Sequence, residues 1–317
     1  MAAVSNQKKI LVVSFSQSGQ LTDIVSALMD PLVSGDDDVE ITVVTESLCP
    51  VKPFPFPWTA LEFVDVFPES LEEIPCRLAP VSFDPDADYD LIILAYQVWY
   101  LAPSIPMTSF LQSSEAARVM RNRPVITLIG SRNMWLQAQE KVKRRIADNG
   151  GRLVGNIVLT DNAPNLVGVI TIAAWMLTGK KKRFFGILPL PGIADDDIIA
   201  ARRFSPAVRT ALVRNRWSDL QPALNRLGAT PVIPAFILFE SRIKKIFAVW
   251  AAFIRRKGER GNPARRPRLR IFIAYLLTAI FILAPVATVV TTLIRFLKKE
   301  KVEALVSYFQ TNSLKEP

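Results

Sequence analysis

The sequence predicts an α/β protein built around a doubly wound parallel β-sheet, and three features predict it. Five short runs are continuously apolar and rich in β-branched residues, as expected for parallel strands covered on both faces. Segments with helical spacing alternate with these runs. A loop of small residues follows the first run. The predicted strands occupy residues 8–14, 39–45, 90–96, 124–130 and 152–160.

Predicted helices lie between these strands. Apolar residues recur at helical spacing across residues 21–28, which predicts a helix directly after the first strand. A second helix is predicted within residues 105–122, and a third within residues 134–151, where two consecutive glycines end it. Five strands connected in this way fit the flavodoxin-like order 2-1-3-4-5. We therefore predict a domain of this fold over residues 1–162.

Charge divides the chain into two unlike halves. The formal net charge is +10. Residues 1–160 contain 13 Lys and Arg against 19 Asp and Glu, whereas residues 161–317 contain 26 against 10. A basic half of this size predicts an anionic partner such as lipid headgroups, nucleic acid or an acidic carrier protein. Because the same half carries long apolar runs, we favour anionic membrane lipid and do not expect nucleic acid.

The absence of histidine limits the chemistry. The chain has no histidine and two cysteines, Cys49 and Cys76. A Ser-His-Asp triad, histidine zinc sites and a histidine general base are therefore excluded. Two cysteines supply neither a metal-ligand spacing nor a disulfide framework, so we predict no metal site and a reducing, cytoplasmic setting. Acid–base work would fall to Tyr, Asp, Glu, Lys, Cys or water.

A segment rich in proline and aromatic residues separates the second and third strands, at residues 46–89. It is too apolar for a disordered linker, and proline interrupts it too often for one long helix. Two interpretations fit this composition. The segment is either a packed cover over the edge of the sheet or a wall over an apolar substrate.

The chain beyond residue 162 predicts contact with a membrane. Residues 163–262 are predicted to form a basic, amphipathic helical region, within which residues 231–257 have the pattern of an interfacial helix. Within a predicted membrane segment at 263–297, positions 271–294 form an uncharged run of 24 residues, long enough to span a bilayer. Residues 298–317 form a tail.

Two alternatives to a single span follow from the same run. It would also suit a buried core helix or a dimerisation helix, and a kink at Pro285 would permit a re-entrant segment with both ends on one side. More basic residues precede the run than follow it. The positive-inside tendency therefore predicts that the N-terminal domain lies at the cytoplasmic face of the inner membrane.

The first of three candidate ligand loops follows the first strand. Ligands of doubly wound sheets bind at the carboxyl ends of the strands, where this loop begins. Small hydroxyl residues and a glycine at a helix N-terminus suit a phosphate, although a plain β–α turn is the alternative. Neither GK[ST] nor GxGxxG is present, so we expect the single phosphate of FMN, bound without lysine. The candidate residues are Ser16, Gln17, Ser18, Gly19, Gln20 and Leu21.

The second and third loops follow the third and fourth strands. Aromatic residues in the second are suited to stacking on a flat ring, and covering the end of the sheet is the alternative. The third offers N–H groups, a guanidinium and an amide for the pyrimidine edge of a flavin or a substrate oxygen. The candidate cofactor-binding residues are Gln97, Val98, Trp99 and Tyr100, then Gly130, Ser131, Arg132 and Asn133.

Several motifs resemble known families. Residues 8–160 resemble flavodoxins and NAD(P)H:quinone oxidoreductases that bind FMN, with a departure at Leu21, where flavodoxins often have threonine. The chain is also similar to flavodoxin-like proteins of the dialkylresorcinol condensing enzyme family. That resemblance rests on SQSGQL, on VKPFPFPW at 51–58, on DVFPES at 65–70, on IPC at 74–76 and on GSRNMW at 130–135.

This resemblance implies an FMN-dependent aromatase that oxidises a lipophilic dialkyl cyclohexanedione to a resorcinol in dialkylresorcinol or aryl-polyene biosynthesis. It also implies a ketosynthase or acyl carrier protein as a partner. Tyr96, Tyr100 and Asp161 are candidate bases, and Arg132 is a candidate for stabilising an enolate oxygen. The alternatives are a membrane-tethered quinone reductase or electron-transfer flavodoxin, and a non-catalytic scaffold at the membrane.

Overall fold

The computed structural model describes residues 7–35, 38–283 and 299–314. Its centre is a β-sheet whose long strands are parallel. The strands are β1 (Gln7–Ser14), β2 (Glu40–Ser47), β3 (Leu91–Trp99), β4 (Ala102–Pro103), β5 (Pro124–Ser131) and β6 (Arg152–Thr160). Each strand predicted from the sequence is present, and β3 extends three residues further than predicted.

The long strands are arranged in the order β2-β1-β3-β5-β6, and β4 pairs only with β3. Without the two-residue β4, this is the predicted flavodoxin-like order. The sheet differs from the prediction by this sixth, antiparallel strand. In β1, the side chains of Ile10, Leu11, Val12 and Val13 are fully buried on alternating faces. Burial on both faces explains why the predicted runs are continuously apolar.

Helices flank the sheet and continue beyond it. The segment 105–122, predicted as one helix, forms two short helices, α4 and α5. The helices are α1 (Gln20–Val33), α2 (Ala60–Asp65), α3 (Phe67–Leu71), α4 (Ile105–Leu111), α5 (Ser114–Met120), α6 (Leu136–Asp148), α7 (Asn165–Thr178), α8 (Asp195–Ile199), α9 (Ser205–Val213), α10 (Leu220–Arg226), α11 (Pro234–Arg255), α12 (Arg266–Thr278) and α13 (Lys299–Phe309). A π-helical segment, Ala279–Leu283, continues α12.

One face of the sheet is covered by elements from both halves of the chain. α1 packs there together with α9 and α10, whose side chains Val208, Leu212 and Leu224 are buried in the same core as the strands. Close approach of α10 needs the missing side chain of Gly155, because a Cβ there would lie 3.2 Å from Leu224. Both helices lie in the region predicted to be basic and amphipathic. Their apolar faces complete the same core as the strands of the predicted N-terminal domain.

The Pro/aromatic segment carries α2 and α3, which hold the C-terminal helices. The Phe67 ring of α3 stacks on Phe272 of α12, with ring centroids 4.3 Å apart. Arg265 is fully buried and pairs with Glu69, at 2.8 Å, and with Asp65, at 3.1 Å. The polar stretch before α12 is therefore fixed against the segment by buried ion pairs.

The structure covers the predicted membrane segment only in part. Residues 266–283 form α12 and the π-helical segment. Positions 284–294 of the uncharged run, including Pro285, lie outside the described residues. Across the described ranges, no helix has both the length and the apolar character that crossing a bilayer requires.

Candidate functional site

The candidate site lies at the carboxyl edge of the sheet, between β1 and β3. The chain passes from β1 to β2 on one side and then to β3 on the other, so the connections diverge at this point. Such a divergence leaves a crevice at the ends of the two strands. The loops that follow β1, β3 and β5 all border it.

The loop between β1 and α1 presents backbone N–H groups. The N–H of Leu21 donates to Ser16 Oγ at 3.2 Å. In the described part of the chain, the N–H groups of Ser18, Gly19 and Gln20 have no protein acceptor. Gly19 has φ +86°, and a Cβ there would meet no atom within 4 Å. Free N–H groups at a helix N-terminus form a receptive position for an anion.

Glutamine side chains fix this loop to its neighbours. Gln17 Nε2 donates to the carbonyl oxygens of Phe54 and Pro55, at 3.2 and 2.9 Å. The Gln17 N–H donates to Gln97 Oε1 of β3, at 3.3 Å. The first and second candidate loops are thereby joined to each other and to the Pro/aromatic segment.

A tight hairpin shapes the second candidate loop. β4 folds back on β3, pairing Ala102 with Trp99 and Pro103 with Val98. Tyr100 and Leu101 form the turn with φ values of +48° and +63°. Two-residue hairpins with positive φ at both central positions normally use Asn or Gly. Bulky residues held in this region cost on the order of 1–3 kcal/mol each, and such strain clusters at functional sites.

Trp99 belongs to a cluster of aromatic rings. Its ring meets Phe54, Trp58 and Phe15 edge to face, with centroids 5.1, 5.8 and 5.9 Å apart. Phe54 and Trp58 come from the Pro/aromatic segment, and Trp58 lines the cavity with Trp99. The Pro/aromatic segment therefore has features of both interpretations. It packs over the edge of the sheet, and it also forms a wall of the cavity.

The two candidate tyrosine bases are occupied in other ways. Tyr96 is fully buried and donates its hydroxyl to Gln139 Oε1, at 2.7 Å. The Tyr100 hydroxyl donates to the Phe63 carbonyl, at 2.7 Å. Burial raises the pKa of both phenols well above 10. The prediction for Tyr96 is corrected, because its side chain lies in the core away from the cavity, and Tyr100 acts as a wall.

Asp161 and Arg132 form the charged part of the site. Asp161 Oδ1 accepts from the Ala163 N–H at 2.8 Å. Oδ2 is buried and has no hydrogen-bond partner in the described structure. Burial raises the pKa of Asp161 above 3.8, although Arg132 opposes this, and burial lowers the pKa of the Arg132 guanidinium. A Cβ on Gly168 of α7 would lie 3.3 Å from Asp161 Oδ2 and 3.4 Å from Arg132 Nε.

These groups border two adjoining cavities. The edge cavity, about 200 Å³, lies at the carboxyl edge of the sheet and is lined by residues of the loops described above. The apolar cavity, about 490 Å³, lies between β3, β5, α7, α11 and α12. Both cavities are lined by four shared residues: Val98, Tyr100, Ser131 and Arg132. The larger cavity has the size and apolar lining that are typical of small-molecule sites.

Most of the candidate residues meet at the edge cavity. Ser16 braces the first loop, Gly19 is exposed at its turn, and Asn133 lines the apolar cavity instead. The candidates that line the edge cavity are Gln17, Ser18, Gln20, Leu21, Gln97, Val98, Trp99, Tyr100, Gly130, Ser131, Arg132 and Asp161.

A third wall was missed by the sequence analysis. Trp175 and Met176 of α7, with Gly192 and Ile193, also line the edge cavity. Gln20 pairs with the Ile193 backbone, accepting from its N–H at 3.0 Å and donating to its carbonyl at 2.9 Å. The contact joins positions 173 residues apart, and no local pattern predicts it.

The fold and the cavity together define a class of protein. It is an α/β protein of flavodoxin-like strand order, with an aromatic cavity at the switch point and an anion-receptive helix N-terminus at its edge. These features come from the chain's own connectivity and side chains.

Solved structures of flavin proteins are among those similar to this chain. One is a flavoprotein in complex with FMN from Lactobacillus acidophilus NCFM, with 16% identity and a TM-score of 0.36, covering 48% of this chain and 93% of that one. Another is a flavodoxin from the domain Archaea, with 13% identity and a TM-score of 0.34, covering 65% and 99%. No protein-family model and no curated protein matches the sequence.

Proposed function

We propose that this protein is an FMN-dependent oxidoreductase. The observation that carries the proposal is the convergence of three loops on one cavity at the switch point of a flavodoxin-like sheet. The donor set there fits FMN. The free N–H groups of Ser18, Gly19 and Gln20 suit a phosphate, and Trp99 and Tyr100 provide aromatic surface for a flat ring.

The substrate is proposed to be lipophilic. The apolar cavity supports this, because its walls are mostly apolar side chains of α7, α11 and α12 and it shares Arg132 with the edge cavity. The resemblance to the dialkylresorcinol family supports a dialkyl cyclohexanedione, oxidised to a resorcinol by loss of two hydrogens. Bound FMN would supply the two-electron oxidant.

Two charged side chains have roles in this reaction. The ring C–H of a cyclohexanedione is acidic, so a carboxylate is a sufficient base. Asp161 Oδ2 is buried beside the edge cavity with no hydrogen-bond partner in the described structure, and it would take the proton. The Arg132 guanidinium would hold the substrate oxygen as negative charge develops. Apolar side chains such as Trp58, Val98 and Ile172 also line the edge cavity, and a less polar environment strengthens both interactions.

The experiment that tests the cofactor is an absorbance spectrum of the purified full chain. We expect a flavin spectrum with about one FMN per chain, as for a single switch-point site. Gly19→Asp places a carboxylate beside the phosphate and should weaken FMN binding about a hundredfold or more. Gly228→Asp is the matched control, because Gly228 also has positive φ and open space around it. A colourless chain that does not take up added FMN contradicts the proposal.

The reaction is tested by product analysis. Aerobic incubation of the flavin-loaded protein with a dialkyl cyclohexane-1,3-dione should yield the resorcinol. Rapid NAD(P)H-dependent reduction of a quinone, without resorcinol formation, would favour the quinone reductase instead. A protein that binds FMN and turns over neither compound would fit the electron-transfer flavodoxin or the scaffold.

Attachment to the cytoplasmic face of the inner membrane also remains a proposal. The uncharged run at 271–294 supports it, as do the exposed side chains of Ile271, Leu277, Phe281 and Ile282 in the described part of that run. A ketosynthase or acyl carrier protein as a partner is supported by the family resemblance alone.

A further inference from the structure

The loop at residues 180–190, between α7 and α8, has an unusual surface. Phe185 is 86% exposed and Ile187 is 83% exposed, the highest exposures among the large apolar side chains in the described part of the chain. Phe185 also has φ +54°, a region that bulky residues seldom adopt. Exposing two large apolar side chains to water at one loop tip is unfavourable. Exposed apolar groups that lie together mark interaction sites.

The base of this loop is fixed to the edge cavity. Trp175, near the end of α7, and Gly192, just after the loop, both line that cavity. Gly192 has no room for a side chain, because a Cβ would lie 2.7 Å from Gln20 Oε1 and 2.8 Å from the Trp175 ring. Gln20 pairs with the backbone of the next residue, Ile193. The base of the loop is therefore fixed beside the edge cavity.

The charge of the loop is basic. Four consecutive basic residues precede the apolar tip, at positions 180–183, and residues 180–190 contain no acidic residue. Lys181 pairs with Asp195 of α8, where Asp196 and Asp197 follow. Lys180, Lys182 and Arg183 are exposed or partly exposed and have no ion-pair partner in the described structure. A basic cluster beside exposed apolar side chains matches the headgroup and acyl layers of an anionic membrane surface.

The apolar surface continues from the loop along α7. Leu177, Ile170 and Leu166 are exposed, and Leu166 also lines the apolar cavity. Their spacing places them on one side of the helix. A surface that accepts the loop tip would therefore also lie along the rim of the apolar cavity. This continuity favours a lipid bilayer over a compact protein partner.

We propose that residues 180–190 form a membrane-docking loop, in which Phe185 and Ile187 enter the acyl boundary of an anionic leaflet and Lys180, Lys182 and Arg183 contact its headgroups. Residues 180–190 lie outside the uncharged run at 271–294. The proposal is independent of the flavin chemistry, because it concerns a surface and not the contents of either cavity.

The test measures where the loop tip lies when the full chain is bound to vesicles. In a Cys49→Ser, Cys76→Ser background, a fluorophore is attached after Ile187→Cys, or after Val51→Cys as the matched control, since Val51 is also exposed, at 57%. Vesicles contain phosphatidylcholine with or without phosphatidylglycerol, and a fraction of the lipid carries bromine on its acyl chains. Thermal midpoints equal to that of the unlabelled chain verify folding.

We expect acyl-chain bromine to quench the probe at position 187 at least about twofold more than the probe at position 51. Adding Lys180→Glu, Lys182→Glu and Arg183→Glu should remove the preference for vesicles with phosphatidylglycerol. Equal quenching at the two positions overturns the proposal. A loop that binds a protein partner and not lipid would give this result. Because flavin absorbance is read from the same samples, failure of docking is distinguishable from failure of FMN binding.

Discussion

At the scale of single residues, burial distinguishes the candidate acid–base groups from one another. The hydroxyls of Tyr96 and Tyr100 are both committed to protein acceptors, and burial moves their pKa values away from neutrality. Asp161 retains one buried oxygen without a hydrogen-bond partner in the described structure, at the edge of the cavity. Of the three candidate bases, Asp161 is therefore the one placed to accept a proton.

Replacing Asp161 separates proton transfer from cofactor binding. Asp161→Asn keeps an oxygen to accept from the Ala163 N–H but cannot act as a base. We expect FMN affinity to change little and kcat to fall by about a hundredfold or more. Because burial raises the pKa of Asp161, the wild-type rate should increase with pH through a transition above 3.8, as the carboxylate forms.

The control for this prediction is Asp219→Asn, which removes an exposed carboxyl before α10. It should leave kcat and its pH profile unchanged. An Asp161→Asn variant with the wild-type kcat would assign proton transfer to another group.

Among the contacts between elements, a buried carboxyl of α11 reaches the N-terminus of α6. Glu240 of α11 is fully buried and accepts from the N–H groups of Gln137, at 2.8 Å, and Leu136, at 3.4 Å. α6 has no side-chain cap of its own, so Glu240 caps it from a distant part of the chain. Burial raises the pKa of Glu240 to about 7, and the two backbone hydrogen bonds oppose this rise.

Glu240 should make stability depend on pH. Between pH 4.5 and 7 the unfolded chain loses this proton while the folded chain keeps it, so the free energy of unfolding falls as pH rises. This contribution is about 3 kcal/mol at most. Glu240→Gln should remove it and give a flatter profile of urea-denaturation midpoints from pH 4.5 to 7. Glu300→Gln, at an exposed position on α13, should keep the wild-type profile.

A second link between elements is the ion cluster around Arg265. It joins α3 to the stretch before α12, and Arg255 of α11 pairs with Glu72 nearby. Acidic residues of the Pro/aromatic segment thus pair with basic residues of the C-terminal half. Part of the strong positive charge of that half is consequently neutralised within the protein and is not presented to an external anion.

At the scale of the whole molecule, the two halves of the chain share one core. α9 and α10 complete one face of the sheet, and Phe309 of α13 is buried on the other. Exposed large apolar side chains of the C-terminal half lie on α7, in the loop at 180–190, on α11 at Ile246 and Val249, and in the described part of the run that begins at 271.

This arrangement predicts how the full chain fractionates. Apolar contact with lipid does not weaken with ionic strength, whereas contact through exposed charges does. We therefore expect the chain to stay in the membrane fraction after washes with high salt. Phe281→Lys with Ile282→Lys should increase its release, and Val33→Lys with Val51→Lys, also at exposed positions, should not. Complete release of the wild-type chain by salt would show that its membrane contact is electrostatic.

The amino-acid pattern alone predicts the α/β sheet, its long strands and their order. Those strands are continuous apolar runs because both of their faces are covered, so they can be recognised in the sequence. It also determined which loops face the ligand edge, because strand direction and order imply this. The absence of histidine likewise excludes a Ser-His-Asp triad, histidine zinc sites and a histidine general base.

The details of the candidate site depend on contacts that form when the chain folds. The turn at Tyr100 and Leu101 lacks the residues that such turns normally use, so no local signal predicts it. The wall formed by Trp175 and Ile193, and the cap that Glu240 places on α6, join positions far apart in sequence. Burial then fixed which groups can react, since Tyr96 and Asp161 are distinguished by their neighbours and not by residue type. Desolvation and hydrogen bonding depend on what surrounds a group in space, and the chain sets those surroundings only when it folds.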